Sequence, residues 1–310
     1  CEILLKVNTL LPKKIKPISK NMLLFMAFLM VIVWGSAFTL VSIGVKYISP
    51  LWLVTYRLII GAIIVIIYVK FKGLNLPNIR DKRWIWYFAM GLIGMVIPFF
   101  LLSTGQVIID SGLTAIMVGT MPLMTVILAH FFTNEKLSIT KIIGFIFGFI
   151  GIVILFLPSD FSIEITENWF SQLIIIIAAF CYAVTTIIAK RAPDTPATIG
   201  ACMMLICAAT ACLFVALLTG FPSSMPPLLG ILTAFGLGVG STAFASILLL
   251  YIIDQTGPST VAKINYFVPL ASVIFGVIIL DEILSIRIFI AFVIILIGMF
   301  ISQIKKSKAF

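Results

Sequence analysis

Residues 115–151 read AIMVGTMPLMTVILAHFFTNEKLSITKIIGFIFGFIG, and 147 positions further on residues 262–298 read AKINYFVPLASVIFGVIILDEILSIRIFIAFVIILIG. At this constant offset Ala115 falls on Ala262, Pro122-Leu123 on Pro269-Leu270, and Val126-Ile127 on Val273-Ile274. Asn134-Glu135 then falls on Asp281-Glu282, Leu137-Ser138-Ile139 on Leu284-Ser285-Ile286, and Gly151 on Gly298. Matches among Leu and Ile carry nothing in so apolar a chain. Pro, Glu, Ser and Gly holding one register across 37 positions are the signal of an internal repeat.

Outward from these stretches, the 310-residue chain is 62% apolar and only 10% charged, with a mean hydropathy of +1.25. Soluble domains run nearer about 45–50% apolar and about 25% charged, and a water-soluble fold of this size cannot hide the excess. Disulfide scaffolds, disordered regulators and ordinary soluble enzymes are poor readings. An α-helical crossing needs about 20 mostly apolar residues. Turn signals and charges divide the chain into ten such runs, near 22–42, 51–70, 84–107, 112–132, 140–157, 169–189, 197–218, 227–253, 258–280 and 286–304. A β-barrel would alternate polar and apolar side chains, whereas 58–69 (LIIGAIIVIIYV) is apolar on every side.

The charges orient the runs, because cytoplasmic loops retain Lys and Arg. Seventeen cations fall in the N-terminal lead-in, the even-numbered connections up to 6–7 and the tail; only Lys46 and Arg287 fall on the opposite side. Both termini are therefore expected in the cytoplasm. The basic lead-in reads as cytoplasmic rather than as a cleaved signal. The formal net charge of +10 sits at segment ends and does not indicate nucleic acid. Each repeat holds five runs, an odd number, so the second copy enters the membrane inverted. The basic 2–3 connection of the first copy then matches TGFPSSMPP (219–227) of the second, which carries no charge. The expected fold is an all-α membrane protein, ten transmembrane helices as two inverted five-helix repeats around a central cavity. Its parts are a lead-in 1–21, repeats at 22–157 and 169–304, a linker 158–168 and a basic tail 305–310.

Each repeat ends in a pattern of the form P-x(12)-E-x-L-[ST]-x(12)-G, carried by Pro122, Glu135, Leu137, Ser138 and Gly151, then by Pro269, Glu282, Leu284, Ser285 and Gly298. With Trp34-Gly35-Ser36 and Arg57 near the start, the chain resembles the EamA branch of the drug/metabolite transporter superfamily over roughly residues 25–303. The resemblance implies a ten-helix secondary transporter, commonly an exporter of amino acids or other small metabolites, without a cofactor. The second copy departs at its start, where Cys181-Tyr182-Ala183 stands for Trp34-Gly35-Ser36.

Two cations, Arg57 and Lys263, lie inside apolar runs. A charge at a helix centre costs at least about 2.5–3.5 kcal/mol on insertion scales, which makes each a functional candidate. Lys263 is expected to pair with a substrate carboxylate or phosphate, with Asn265 and Tyr266 beside it; the alternative is snorkelling to headgroups. Arg57 reads as a gate or a structural partner. Ser36, Gln106, Thr120 and Tyr182, with Trp34 as an aromatic wall, outline the remaining substrate-binding candidates, each alternatively a helix–helix contact.

Asp110 and Asp254 read as caps in matching connections, with proton coupling at a gate as the alternative. Glu135 and Glu282 read as partners of the free amides of the helices that follow them. Pro122 and Pro269 are expected to kink helices beside the cavity. Gly144-x-x-x-Gly148 and Gly236-x-x-x-Gly240 read as close packing within the chain, with a dimer face as the alternative. The five cysteines form no C-x-x-C pair. His130 has no ligand spacing, and no phosphate loop or nucleophile elbow occurs.

The expected function is export of small metabolites across a bacterial cytoplasmic membrane by a monomer or homodimer. The alternatives are an uptake permease or exchanger of the same fold, for instance for a nucleotide-like cofactor; a channel; and an intramembrane transferase. The expected partners are a small-molecule substrate and the lipid bilayer, with no metal.

Overall fold

A computed structural model describes residues 19–132, 138–156, 168–222, 224–256, 264–265, 267–283 and 285–302. The apolar runs are helices, which satisfy their own backbone and so suit a medium without water. In chain order these are α1 (Lys20–Gly44), α2 (Pro50–Phe71), α3 (Arg83–Gly105), α4 (Ser111–Phe132) and α5 (Ile139–Phe156). There follow α6 (Trp169–Arg191), α7 (Ala197–Leu218), α8 (Leu228–Gly236, Leu237–Phe244 and Ala245–Thr256), α9 (Val268–Leu280) and α10 (Ile286–Ser302). Seven helices among the described residues are long and apolar enough to cross a membrane, and three shorter ones are also apolar.

Proline and short polar side chains set the ends. Ser19 caps α1 by accepting from the Met22 amide at 3.2 Å. Pro50 opens α2, where its missing N–H costs nothing. Asp281 closes α9 in the left-handed region at φ 54°, a conformation that Asp and Asn tolerate better than other side chains.

Two helices change pitch midway. α3 contains a π segment, Leu92–Val96, and α8 a longer one, Leu237–Phe244. In α3 the irregular turn precedes Pro98, whose ring would clash with a carbonyl four residues back in a regular helix. α4 is broken at Gly119-Thr120, ahead of Pro122, and restarts at Met121. Pro269 lies in the first turn of α9. Asp254, expected in a connection, lies within α8, which continues through Thr256.

Packing is inside-out relative to a soluble protein. Phe25, Phe28, Ile67, Phe149, Phe214 and Phe300 are exposed, as lipid-facing side chains are. Small residues fill the interior, as on α7, where Gly200, Ala201, Cys202, Ala208, Cys212 and Ala216 are buried. The helices α5 and α10 pack together along their length; α1 lies against α8 and α9, α6 against α3 and α4, and α2 against α7 and α8, while α7 also meets α3.

Candidate solute-binding site

Arg57 lies on α2, about 10 Å along the axis from its first residue at 1.5 Å per residue. It is only 7% exposed. Its Nε donates to Thr242 Oγ1 at 2.8 Å, and its Nη2 donates to Ser241 Oγ at 3.2 Å. Both acceptors sit in the π segment of α8. Ser241 uses its own proton on the Leu237 carbonyl at 3.0 Å, leaving a lone pair for the guanidinium.

That approach needs small residues on both helices. A Cβ on Gly61 of α2 would stand 2.6 Å from Thr242 Cγ2, and one on Gly238 of α8 would stand 2.6 Å from Ile60 Cβ.

Above the guanidinium, Phe99 of α3 places its ring centroid 3.8 Å from Arg57 Cζ, a cation–π contact in a water-poor setting. Tyr182 of α6 meets Phe99 edge-on at 6.5 Å between centroids. Four helices, α2, α3, α6 and α8, thus converge on one cation. Among the described residues no carboxylate pairs with it.

The sequence candidates distribute unevenly around this point. Arg57 and Tyr182 come together. Gln106 lies apart from them: its amide nitrogen donates to the Phe38 carbonyl at 2.9 Å and to Ser42 Oγ at 3.0 Å, tying α3 to α1. Among the described residues its Oε1 has no protein partner, and neither has the buried Oε1 of Gln172. Thr120 and Ser36 turn their hydroxyls onto their own helices, to Met117 and Val33 carbonyls. Trp34 packs against the cluster of Met30, Leu248, Ile252 and Ile264, and Tyr182 against a different one. Asn265 is half-buried. Lys263, Tyr266 and Glu135 lie outside the described residues, and of Asp254 only the backbone is described. Phe99, Ser241 and Thr242 were missed, because nothing in their local sequence separates them from the apolar, small-residue runs around them.

A cavity of about 280 Å³ opens between the first half of α1 and the facing ends of α2, α7 and α8, lined by Met26, Tyr68, Thr198, Phe244, Leu248 and Tyr251 among others.

The caps are arranged differently from the local reading. Asp110 occupies the N-cap position of α4 but makes no side-chain capping bond. Glu282, from the α9–α10 connection, caps α4 instead: Oε1 accepts from the Ser111 amide at 2.6 Å and Oε2 from the Gly112 amide at 2.9 Å. Gly276 makes room, since a Cβ there would strike the Glu282 carboxylate. The expectation that Glu282 serves α10 is corrected, because the fold brings the first amides of α4 within hydrogen-bond reach of its carboxylate.

Burial and the adjacent Glu282 charge hold the Asp110 carboxyl above the usual carboxylate range. Its folded pKa is raised, so the folded state binds the proton more tightly and the ionised form costs stability. That cost is present at neutral pH and is relieved as pH falls through the raised folded value. Asn caps a helix as well as Asp does. Asp110→Asn is therefore expected to stabilise the fold at pH 7 by less than about 1 kcal/mol, because the group is exposed and screened, and so to raise the melting temperature. The difference should shrink in thermal scans at lower pH.

Long apolar helices with small residues inside and large ones outside, converging on a buried cation, define a polytopic membrane protein with a polar interior site. The comparisons agree. The EamA-like transporter family model matches residues 21–157 and again 169–303, and the chain belongs to that family. Similar proteins include the uncharacterized transporter YoaV of Bacillus subtilis, 24% identical over 89% of this chain and 95% of YoaV. An uncharacterized transporter of Archaeoglobus fulgidus is 26% identical over 88% of this chain and 95% of its own length. The uncharacterized inner membrane transporter YedA of Escherichia coli is 22% identical over 80% of each chain. A crystal structure at 19% identity superposes with a TM-score of 0.66, covering 92% of this chain and 98% of the other; it shares the fold.

Proposed function

We propose that the protein is a secondary transporter that exports small metabolites by alternating access, without a cofactor, in a bacterial cytoplasmic (inner) membrane. In this reading ten crossings form two inverted five-helix repeats, 22–157 and 169–304, with both termini in the cytoplasm.

The observation that carries it is the reciprocity of the packing. α1 lies on α8 and α9 as α6 lies on α3 and α4; α2 meets α8 as α7 meets α3; and α5 meets α10. Exchanging each helix for the one five places along leaves these pairings unchanged, as a pseudo-twofold relation between halves requires. The twofold match of one family model and the π segments in α3 and α8 support the same relation. Two equivalent halves have inward- and outward-open arrangements of similar energy, which is the basis of alternating access. In the proposed orientation the Tyr68–Tyr251 cavity faces the cytoplasm, where an exporter loads. The inner-membrane assignment rests on the likeness to YedA.

The test is reconstitution of the purified chain into vesicles loaded with a defined metabolite mixture. Time-dependent, saturable release of at least one solute above protein-free vesicles is expected. Intact, folded protein that moves no solute would count against transport, and sustained unitary currents would indicate a channel.

A further inference from the structure

Arg57 carries its charge in an apolar bundle with nothing opposite to neutralise it among the described residues. An arginine has five N–H donors. Nε and one proton of Nη2 are committed to Thr242 and Ser241. Both protons of Nη1 and the second of Nη2 have no protein acceptor among the described residues, and one of the Nη1 protons forms with that of Nη2 the fork that matches the two oxygens of a carboxylate. The hydroxyls of α8 act toward the guanidinium as acceptors, so they fix its plane without supplying charge. A neutral glutamine bridges two hydroxyls equally well; a structural bracket alone gives no reason for a cation.

We infer that Arg57 receives the carboxylate of the transported solute, with the rings of Phe99 and Tyr182 bordering the solute's apolar portion. The inference rests on the transporter reading and deepens it by naming the substrate class: small organic monocarboxylates with an apolar or aromatic body. A carboxylate entering the fork replaces its hydration with charge-assisted hydrogen bonds, whereas the matching amide brings no charge and places an NH₂ where an acceptor is needed.

The test uses the full chain in lipid nanodiscs and matched pairs of probes: benzoate and benzamide, phenylacetate and phenylacetamide, propionate and propionamide. Melting temperature is followed against probe concentration. At least one acid is expected to stabilise saturably, with a half-saturation tenfold or more below that of its amide, and aromatic acids should act at lower concentration than propionate. Arg57→Gln should abolish the discrimination. Equal or absent responses to every acid and amide would overturn the inference, as would full discrimination in folded Arg57→Gln. Should that variant not fold, the comparison on the unaltered protein decides by itself.

Flux in vesicles separates the two levels. Transport confined to neutral or cationic solutes would overturn the carboxylate assignment and leave the transporter standing. An absence of all flux, with acid-selective stabilisation retained, would remove the transporter reading and leave the anion site.

Discussion

Glu282→Ala is expected to destabilise the folded protein by about 2–4 kcal/mol, since a hydrogen bond to a charged group contributes about 1.5–3 kcal/mol, this carboxylate receives two, and its partial exposure lowers the sum. The loss falls on α4, whose first amides would have no acceptor; Ser111 is fully buried, so water replaces the carboxylate poorly. The carboxylate also opposes the positive end of the α4 dipole, a further contribution in the same direction. Glu282→Gln separates the two effects. It retains the shape and one acceptor oxygen but presents an NH₂ to the second amide, so about half of the loss is expected. Unfolding of both variants in the same detergent, with the unaltered chain and Asp110→Asn as references, checks the order Ala below Gln below the parent. Equal stability of all three would mean that the α9–α10 connection does not hold α4.

Gly298→Ala should have a comparable effect through sterics. A Cβ at this position of α10 would lie 2.6 Å from the Gly144 carbonyl oxygen and 2.9 Å from the Gly148 amide nitrogen, both backbone atoms of α5. Backbone cannot turn aside as a side chain can, so the helices must separate along a seam that runs their whole length. Overpacking costs about 1–3 kcal/mol, and a clash with backbone falls at or beyond the upper end. Gly240→Ala supplies the contrast, with its nearest neighbour, Val33 Cγ1, at 3.8 Å, an ordinary contact. There the better helix propensity of Ala, about 1 kcal/mol over Gly, should leave stability unchanged or raised. The same substitution is thus expected to act with opposite sign at the two sites, read from thermal unfolding and from the yield of folded protein. A mild effect at Gly298 would show that the α5–α10 seam yields.

The helices were legible in the sequence because lipid constrains every residue of a crossing, so each apolar run announces itself without reference to a partner. What the runs do to one another was less so. The π segment of α8 packs through Gly238 and Thr242 onto Gly61 and Ile60 of α2, a contact across two helices that no local pattern encodes. Arg57 was visible as a charge in the wrong solvent, but Ser241, Thr242 and Phe99 are unremarkable until the bundle assembles around it. Glu282 was readable as a carboxylate serving a helix N-terminus. Local reasoning assigned it to the next helix in the chain, and the fold gave it to one 170 residues earlier. Gln106 was singled out for a cavity and instead ties α3 to α1, the commoner fate of a polar side chain between helices.

The bonds from Arg57 to α8 span 185 and 184 residues of chain, which has a consequence for biogenesis. Synthesis proceeds at about 5–20 residues per second, so α2 leaves the ribosome roughly 10–40 s before its hydroxyl partners exist. During that interval the bilayer holds an uncompensated guanidinium, at a cost of about 2.5–3.5 kcal/mol on insertion scales. The remainder of α2 is apolar enough to carry that load into the membrane. The nascent first half therefore waits for a helix that only the second half can supply.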